Sequence, residues 1–438
     1  MTTAPEAVCV DVGSTYTKAA RIDLRDAQLI SRAEVPTTSA TDVLDGLNAA
    51  VAAVDGAGAP LYVCSSAGGG LRLAVVGYES LVTAEAGHRV GLSAGAQVVH
   101  VASGPLTGAA ITALRAARPD VVLLVGGTDG GDAEVLLHNA RRLATARLRL
   151  PVVLAGNADV REQARDLLTA RGVPVTVTGN VLPRIGVLDP APARAAIREV
   201  FLRHVIGGKR LSKGPRFAAL VRCATPDAVL AGVELLADRA GFGVLVVDVG
   251  GATTDVYSAL VPDAELSTGP RRDVAGTLWR SRTVEGDLGV AAGAPSTLQA
   301  AIVEKLADPL AEQELAATAA TIALRRHARG HPAGPGLPRT GGRDLRDVRL
   351  VIGSGGVLRH GGGEHVLRAV LGDTAGGWAL PDRARAVVDS AYVLAAAGLL
   401  AVDHPAVAGA LADTLLAAGP DRRSTFSDTP EGATRRNR

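Results

Sequence analysis

The stretch VVDVGGATTDVY, residues 246–257, runs an apolar strand into Asp248, turns on glycine and hydroxyl residues, and runs out again as a strand. A near-copy, VCVDVGSTYTKAARI, occupies residues 8–22 and places Asp11 where the later stretch has Asp248. A strand ending in aspartate sets a carboxylate at a sheet edge, where with water it can hold a magnesium ion. Gly13, Gly250 and Gly251 let backbone N–H groups come close to an anion, and Ser14, Thr15, Thr253 and Thr254 add hydroxyl donors. One such turn is weak, because Asp-x-Gly turns are common. Two of them, one near each end of an α/β chain, would grip a polyphosphate from both sides.

A third glycine-rich turn, Gly353-Ser354-Gly355-Gly356, follows the strand VRLVIG at the distance expected of an adenosine pocket. Other phosphate-binding solutions fail on inspection. There is no G-x-x-x-x-G-K-[ST], and GSGGVL has Leu358 where a dinucleotide fingerprint needs glycine.

Composition frames these motifs. With 438 residues and 47% hydrophobic content the chain can bury a large core in two or three domains. Its 46 basic and 44 acidic residues leave a net charge of +2 with no long basic run, so neither nucleic acid nor an anionic membrane is an expected partner. Lys18, Lys209, Lys213 and Lys305 are its only lysines. No basic stretch followed by an apolar core opens the chain, and the late apolar run 391–402 is too short to span a bilayer, which gives a cytoplasmic expectation. Cys9, Cys64 and Cys223 form no CxxC, as in a reducing compartment, and suggest neither zinc nor an iron–sulfur cluster.

Between the hairpins, apolar runs alternate with helical patterns from Gln97 to Gly179, the mark of a mostly parallel α/β unit. Such units bind at the carboxyl ends of their strands, where this one carries GGTDGGD (126–132) and AGN (155–157). These glycines either shape a functional loop or merely permit tight turns, with Asp132 capping the next helix. LYVCSSAGGGLRLAVVGYES (61–80) poses the same question. Residues 296–330 look helical with a break at Pro309, and 384–418 read as small-residue helices. The polar residues 416–438 are expected to be a disordered tail.

At the hairpins the chain resembles the actin, heat-shock-ATPase and sugar kinase superfamily. DVGSTYTK (11–18) looks like its first phosphate motif, DVGGATTD (248–255) its second and VIGSGGV (351–357) its adenosine motif. The strings CSSAGGGLRLAVVGYE, VGGTDGGDAEVLLHNA, GNVLPRIGVLDPAPARAAIREVFLRH, TVEGDLGV and RRHARG, in this order, are similar to the glutamate mutase accessory protein family, over nearly the whole chain to about residue 415. The resemblance implies an α/β fold of two duplicated ribonuclease-H-like ATPase domains, with halves at 1–240 and 241–415 and the α/β unit at 97–179 inside the first.

It also implies a chaperone that uses ATP and Mg²⁺ to reactivate an adenosylcobalamin-dependent mutase by promoting loss of damaged cobalamin, with the mutase subunits as partners; an oligomer is allowed. By position Asp11 and Asp248 would hold Mg²⁺, with Asp255 a weaker candidate, and Gly13, Ser14, Thr15, Gly250, Gly251, Thr253 and Thr254 would hold phosphates. Lys18 either reaches the phosphates or faces solvent, and Gly353, Gly355 and Gly356 would line the adenosine. Glu285 and Asp287 in TVEGDLG either position the attacking water or cap a helix starting near Leu288. RRHARG lacks the aspartate of a cobalt-ligating Asp-x-His-x-x-Gly. A small-molecule kinase and an actin-like assembly ATPase remain alternatives on the same fold.

Overall fold

The computed structural model describes residues 5–67, 71–79, 82–94, 96–206, 211–261, 279–307, 311–332, 339–340, 342–374, 380–381 and 383–418. The opening hairpin founds the first sheet. β1 (Glu6–Val12), β2 (Tyr16–Asp23) and β3 (Gln28–Pro36) form an antiparallel meander, and β4 (Leu61–Ser65) lies parallel to β1. The chain then leaves this sheet for a parallel unit made of β5 (Arg72–Gly77), β6 (Gln97–Ser103), β7 (Val121–Leu124), β8 (Val152–Leu154) and β9 (Val175–Val177), in the order β6-β5-β7-β8-β9. It returns at β10 (Val221–Ala224), which pairs with β4 and completes the order β10-β4-β1-β2-β3.

The second hairpin repeats this plan. β11 (Gly243–Val249), β12 (Thr254–Ala259) and β13 (Arg280–Glu285) form the meander. After the short pair β14 (His331–Pro332) and β15 (Arg339–Thr340), β16 (Val348–Ser354) and β17 (Arg385–Val388) add in parallel. The order is β13-β12-β11-β16-β17. Three antiparallel strands followed by two parallel ones, built twice, is the duplicated ribonuclease-H-like arrangement implied by the resemblance.

A shared core holds the halves together. Ala7, Cys9, Tyr62 and Cys64 of the first sheet and Val244, Val246, Leu350 and Ile352 of the second pack on the helices Thr225–Ala240, Val393–Leu400 and Pro405–Ala417. Of these helices, the first two each follow the last strand of their own sheet. They meet at glycine: a Cβ on Gly232 would lie 2.1 Å from the Leu394 carbonyl oxygen, and one on Gly398 1.8 Å from that of Ala228. This reciprocal approach is where the helices that follow the two sheets come closest.

Three sequence expectations change. The parallel unit begins at β5 rather than near Gln97, because LYVCS and RLAVVG, only seven residues apart, belong to different sheets. Residues 384–418 open with β17 before the two helices. The last helix reaches Ala417, and 419–438 lie outside the described residues.

The GGTDGGD loop is tied to the turns after the next two strands. The Asp129 carboxylate accepts hydrogen bonds from the Ala158 N–H at 2.9 Å and Asn180 Nδ2 at 2.8 Å, while buried Asn157 donates to the Gly131 and Asp132 carbonyls. Asp132 Oδ1 accepts from Val135 N at the head of the next helix. These polar groups hold the turn, and Asp132 caps the next helix as expected.

Candidate functional site

Strand alternation decides where each hairpin residue points. Asp11 continues the row of Ala7 and Cys9, and Asp248 the row of Val244 and Val246; both rows face the core shared by the halves. The two carboxylates therefore end on the faces that look across at each other. Each turn is closed the same way, by Gly13 N–H donating to the Tyr16 carbonyl at 3.0 Å and Gly250 N–H to that of Thr253 at 2.9 Å. A side chain at either glycine would strike the same carbonyl, at 2.7 and 2.9 Å.

Asp11 is well partnered. Lys18, opposite it in register, brings Nζ to 3.8 Å of Oδ2, and Thr225 at the head of its helix donates its hydroxyl to Oδ1. The Cys64 thiol donates to the same oxygen at 3.7 Å. Burial, with the Asp11 charge beside it, pushes that thiol well above its ordinary pKa, so it stays a neutral donor.

Asp248 differs. Among the described residues no donor bonds its carboxylate, and burial pushes its pKa up to about 6, with Lys18 and Arg359 pulling the other way and Asp255 and Asp11 adding to the rise. Asp255 stands opposite it in register and is held by Arg282, whose Nε and Nη2 donate to Oδ1 at 3.2 and 2.8 Å. A carboxylate short of donors, near a second carboxylate on the facing half, has the chemistry of a divalent-cation ligand. Among the described residues no three His, Cys, Asp or Glu side chains gather as a metal site, so a Mg²⁺ ion here would rest on Asp11 and Asp248 together with nucleotide oxygens and water.

The remaining expected residues divide. Ser14, Thr15, Gly251 and Thr253 lie in the two turns beside these carboxylates, between the paired strands. Thr254 does not present its hydroxyl to them: it is buried on the opposite face and donates to the Leu288 carbonyl at 3.0 Å. Gly353 lies one residue before the end of β16, in register with Val247, and Gly355, at φ 103°, passes so close to β11 that a Cβ would sit 2.1 Å from the Val249 carbonyl oxygen. Only glycine tolerates that conformation and approach. Gly356 faces open space.

Glu285 is not brought to the site. It pairs with Thr254 and so projects from the other face of the second sheet, where Arg326 Nη1 binds it at 2.8 Å and Asp287 at 2.7 Å. Neither carboxylate caps a helix at Leu288, since the next helix starts at Ala294. His327 is fully buried, bonded to Thr283 and Ser258, and Arg325 pairs with Asp373, so RRHARG is a packing element.

Sequence reading missed the groups that surround the carboxylates from other elements. Thr225, Cys64, Glu34, Arg359 and Tyr392 converge through register and long-range packing. For Arg359 alone a signal exists, as the cation following the glycine-rich turn at 353–356.

The model of the MutL protein family matches residues 7–315 and 302–416. The chain belongs to the MutL family. "Protein MutL" of Clostridium tetanomorphum is 34% identical over 446 residues, covering 90% of this chain and 96% of that protein. Among solved structures, the ATP-dependent caprolactamase of Pseudomonas jessenii is similar over 90% of this chain and 70% of its own, at 14% identity and a TM-score of 0.39. Component A of the (R)-2-hydroxyglutaryl-CoA dehydratase of Acidaminococcus fermentans is similar over 94% and 100%, at 8% identity and a TM-score of 0.30. The fold of this MutL-family chain is carried by its strand order. Among the described residues no helix is long and apolar enough to cross a membrane.

Proposed function

We propose that this MutL-family chain is an ATP-dependent reactivating chaperone for an adenosylcobalamin-dependent carbon-skeleton mutase, binding Mg-ATP between its halves. The observation that carries the nucleotide part is the pair of hairpins whose Asp11 and Asp248 end on facing rows of two equivalent sheets. In this reading the turns at 13–15 and 250–253 cradle the β- and γ-phosphates with backbone N–H groups, and Gly353, Gly355 and Gly356 line the adenosine. Bound Mg²⁺, held by Asp11 and Asp248, would neutralise phosphate charge during transfer to water.

The two-half architecture supports a coupling to a partner. ATP binding closes the halves about the Gly232–Gly398 contact and hydrolysis releases them, so the partner responds to whichever state is populated. The parallel unit is the part of the chain present in only one half, yet its helix Thr83–Ser93 packs against β13 of the other. That placement supports a role for it in reporting closure to the mutase. Support for the mutase as client comes from the resemblance to the glutamate mutase accessory family.

The test is ATP turnover by the purified protein with Mg²⁺, alone and with an adenosylcobalamin-dependent mutase loaded with inactive cobalamin. Turnover that rises with the mutase and vanishes in Asp248→Asn is the expected result. Turnover indifferent to the mutase would favour a small-molecule kinase or an assembly ATPase, and no binding of ATP would end the reading.

A further inference from the structure

Tyr392 stands at the head of the helix Val393–Leu400 with φ 58°, a left-handed conformation uncommon for a bulky residue. Its surroundings fix it there. Just upstream, buried Asp389 accepts hydrogen bonds from the Val393 and Leu394 N–H groups at 2.8 and 3.0 Å, which locks the turn. The ring then projects to the first half of the molecule, between two cations: Lys18 Nζ lies 4.2 Å from its centroid and Arg359 Cζ 3.6 Å. Its hydroxyl donates to Glu34 Oε2 at 3.2 Å, and Glu34 is paired in register with Lys18.

Arg359 is the least satisfied member. Its side chain is only 7% exposed, its Nε has no hydrogen-bond partner, and its two terminal nitrogens reach Glu34 Oε2 at 3.4 and 3.5 Å, the outer edge of bonding. Desolvation lowers its pKa below the ordinary guanidinium range. A buried cation so loosely paired is poised for a better anion. Arg32 adds a further bond between the halves, to the Ser390 carbonyl.

We infer that Glu34, Tyr392, Lys18 and Arg359 form a clasp across the two halves in which Glu34 holds the place of a nucleotide phosphate, so that ATP must displace Glu34 to take Arg359. Arg359 is then a positioning residue that senses phosphate, and the clasp sets how readily the empty cleft accepts nucleotide. This rests on the proposed nucleotide site, and it deepens that reading by giving the site a competitor built into the chain.

Two measurements on the full chain decide it. The first is a double-mutant cycle on Mg-ATP affinity, by titration calorimetry, with Glu34→Gln, Arg359→Gln and both. Glu34→Gln should tighten ATP binding several-fold in the parent and not at all in the Arg359→Gln background. Equal effects in both backgrounds, or no tightening, overturn the competition. The second is amide exchange without nucleotide, which reads the clasp alone: Tyr392→Ala should raise exchange in β2, β3 and residues 385–400, whereas unchanged exchange overturns the clasp. A parent chain that binds no ATP would overturn the nucleotide reading and the competition together, leaving the exchange result to decide the contact.

Discussion

Where the first hairpin sets Lys18 opposite Asp11, the second sets Asp255 opposite Asp248. One strand further out the equivalence continues, with Arg32 opposite Ala20 and Arg282 opposite Tyr257. Two copies of one backbone thus carry different charge arrangements. In the first, Asp11 is neutralised at home and Arg32 is free to bind the other half through Ser390. In the second, Arg282 is committed to Asp255, and Asp248 has no donor of its own among the described residues. The duplication supplied the geometry, and divergence at two equivalent positions, Lys18 against Asp255 and Ala20 against Tyr257, left Asp11 paired and Asp248 without a donor among the described residues.

The largest expected effect separates the two aspartates. Asp11→Asn and Asp248→Asn should each lower Mg-dependent ATP turnover by about 10²-fold or more, the scale of losing a group that stabilises developing charge. Their stabilities should move in opposite directions. Asp11→Asn removes the partner of Lys18 and should cost about 1 kcal/mol, whereas Asp248→Asn removes a carboxylate held above its ordinary pKa and should raise Tm at pH 7. Equal shifts in Tm would mean that the two sites are electrostatically alike.

The equivalent arginines come next. Arg282→Met leaves Asp255 buried without its cation and should cost about 3–5 kcal/mol in denaturant unfolding. Arg32→Met loses a bond to a carbonyl at the surface and should cost about 1 kcal/mol. Between these two losses lies Gly398→Ala, whose methyl would meet the Ala228 carbonyl; overpacking of this kind costs about 1–3 kcal/mol and should hold the halves apart, visible as an increased radius of gyration. No change in either quantity would move the pivot elsewhere.

The same contrast explains what the sequence disclosed. Both hairpins could be read because a turn is local: aspartate, glycine and hydroxyl residues sit within eight positions, and their repetition shows the duplication. The pairing partners of Asp248 and Asp11 across each hairpin follow from the same short spacing. Glu285 could not be placed, because which face it occupies depends on the register of β13 against β12, set across a long connection. The move of β4 and β5 into different sheets has no local mark either, since both are short apolar strands. Tyr392 and Glu34 are 358 positions apart, and their contact exists only because the two halves close on a pair of helices.

The smallest effect tests the origin of the contrast through pH. Burial pushes the pKa of the Asp248 carboxyl up to about 6, and a cation site needs it ionised. Mg-dependent ATP affinity should therefore fall as pH drops through 6, to about a tenth of its neutral value by pH 5 if this group alone titrates. The stability sign runs the other way. A carboxyl whose folded pKa is raised favours the fold when protonated, and that contribution is lost as pH rises through about 6. The Tm advantage of Asp248→Asn should accordingly be present at pH 7 and vanish near pH 4, where the parent carboxyl is protonated too. An advantage that persists unchanged at pH 4 would show that the substitution acts by packing, and the difference between the two hairpins would then not be one of charge.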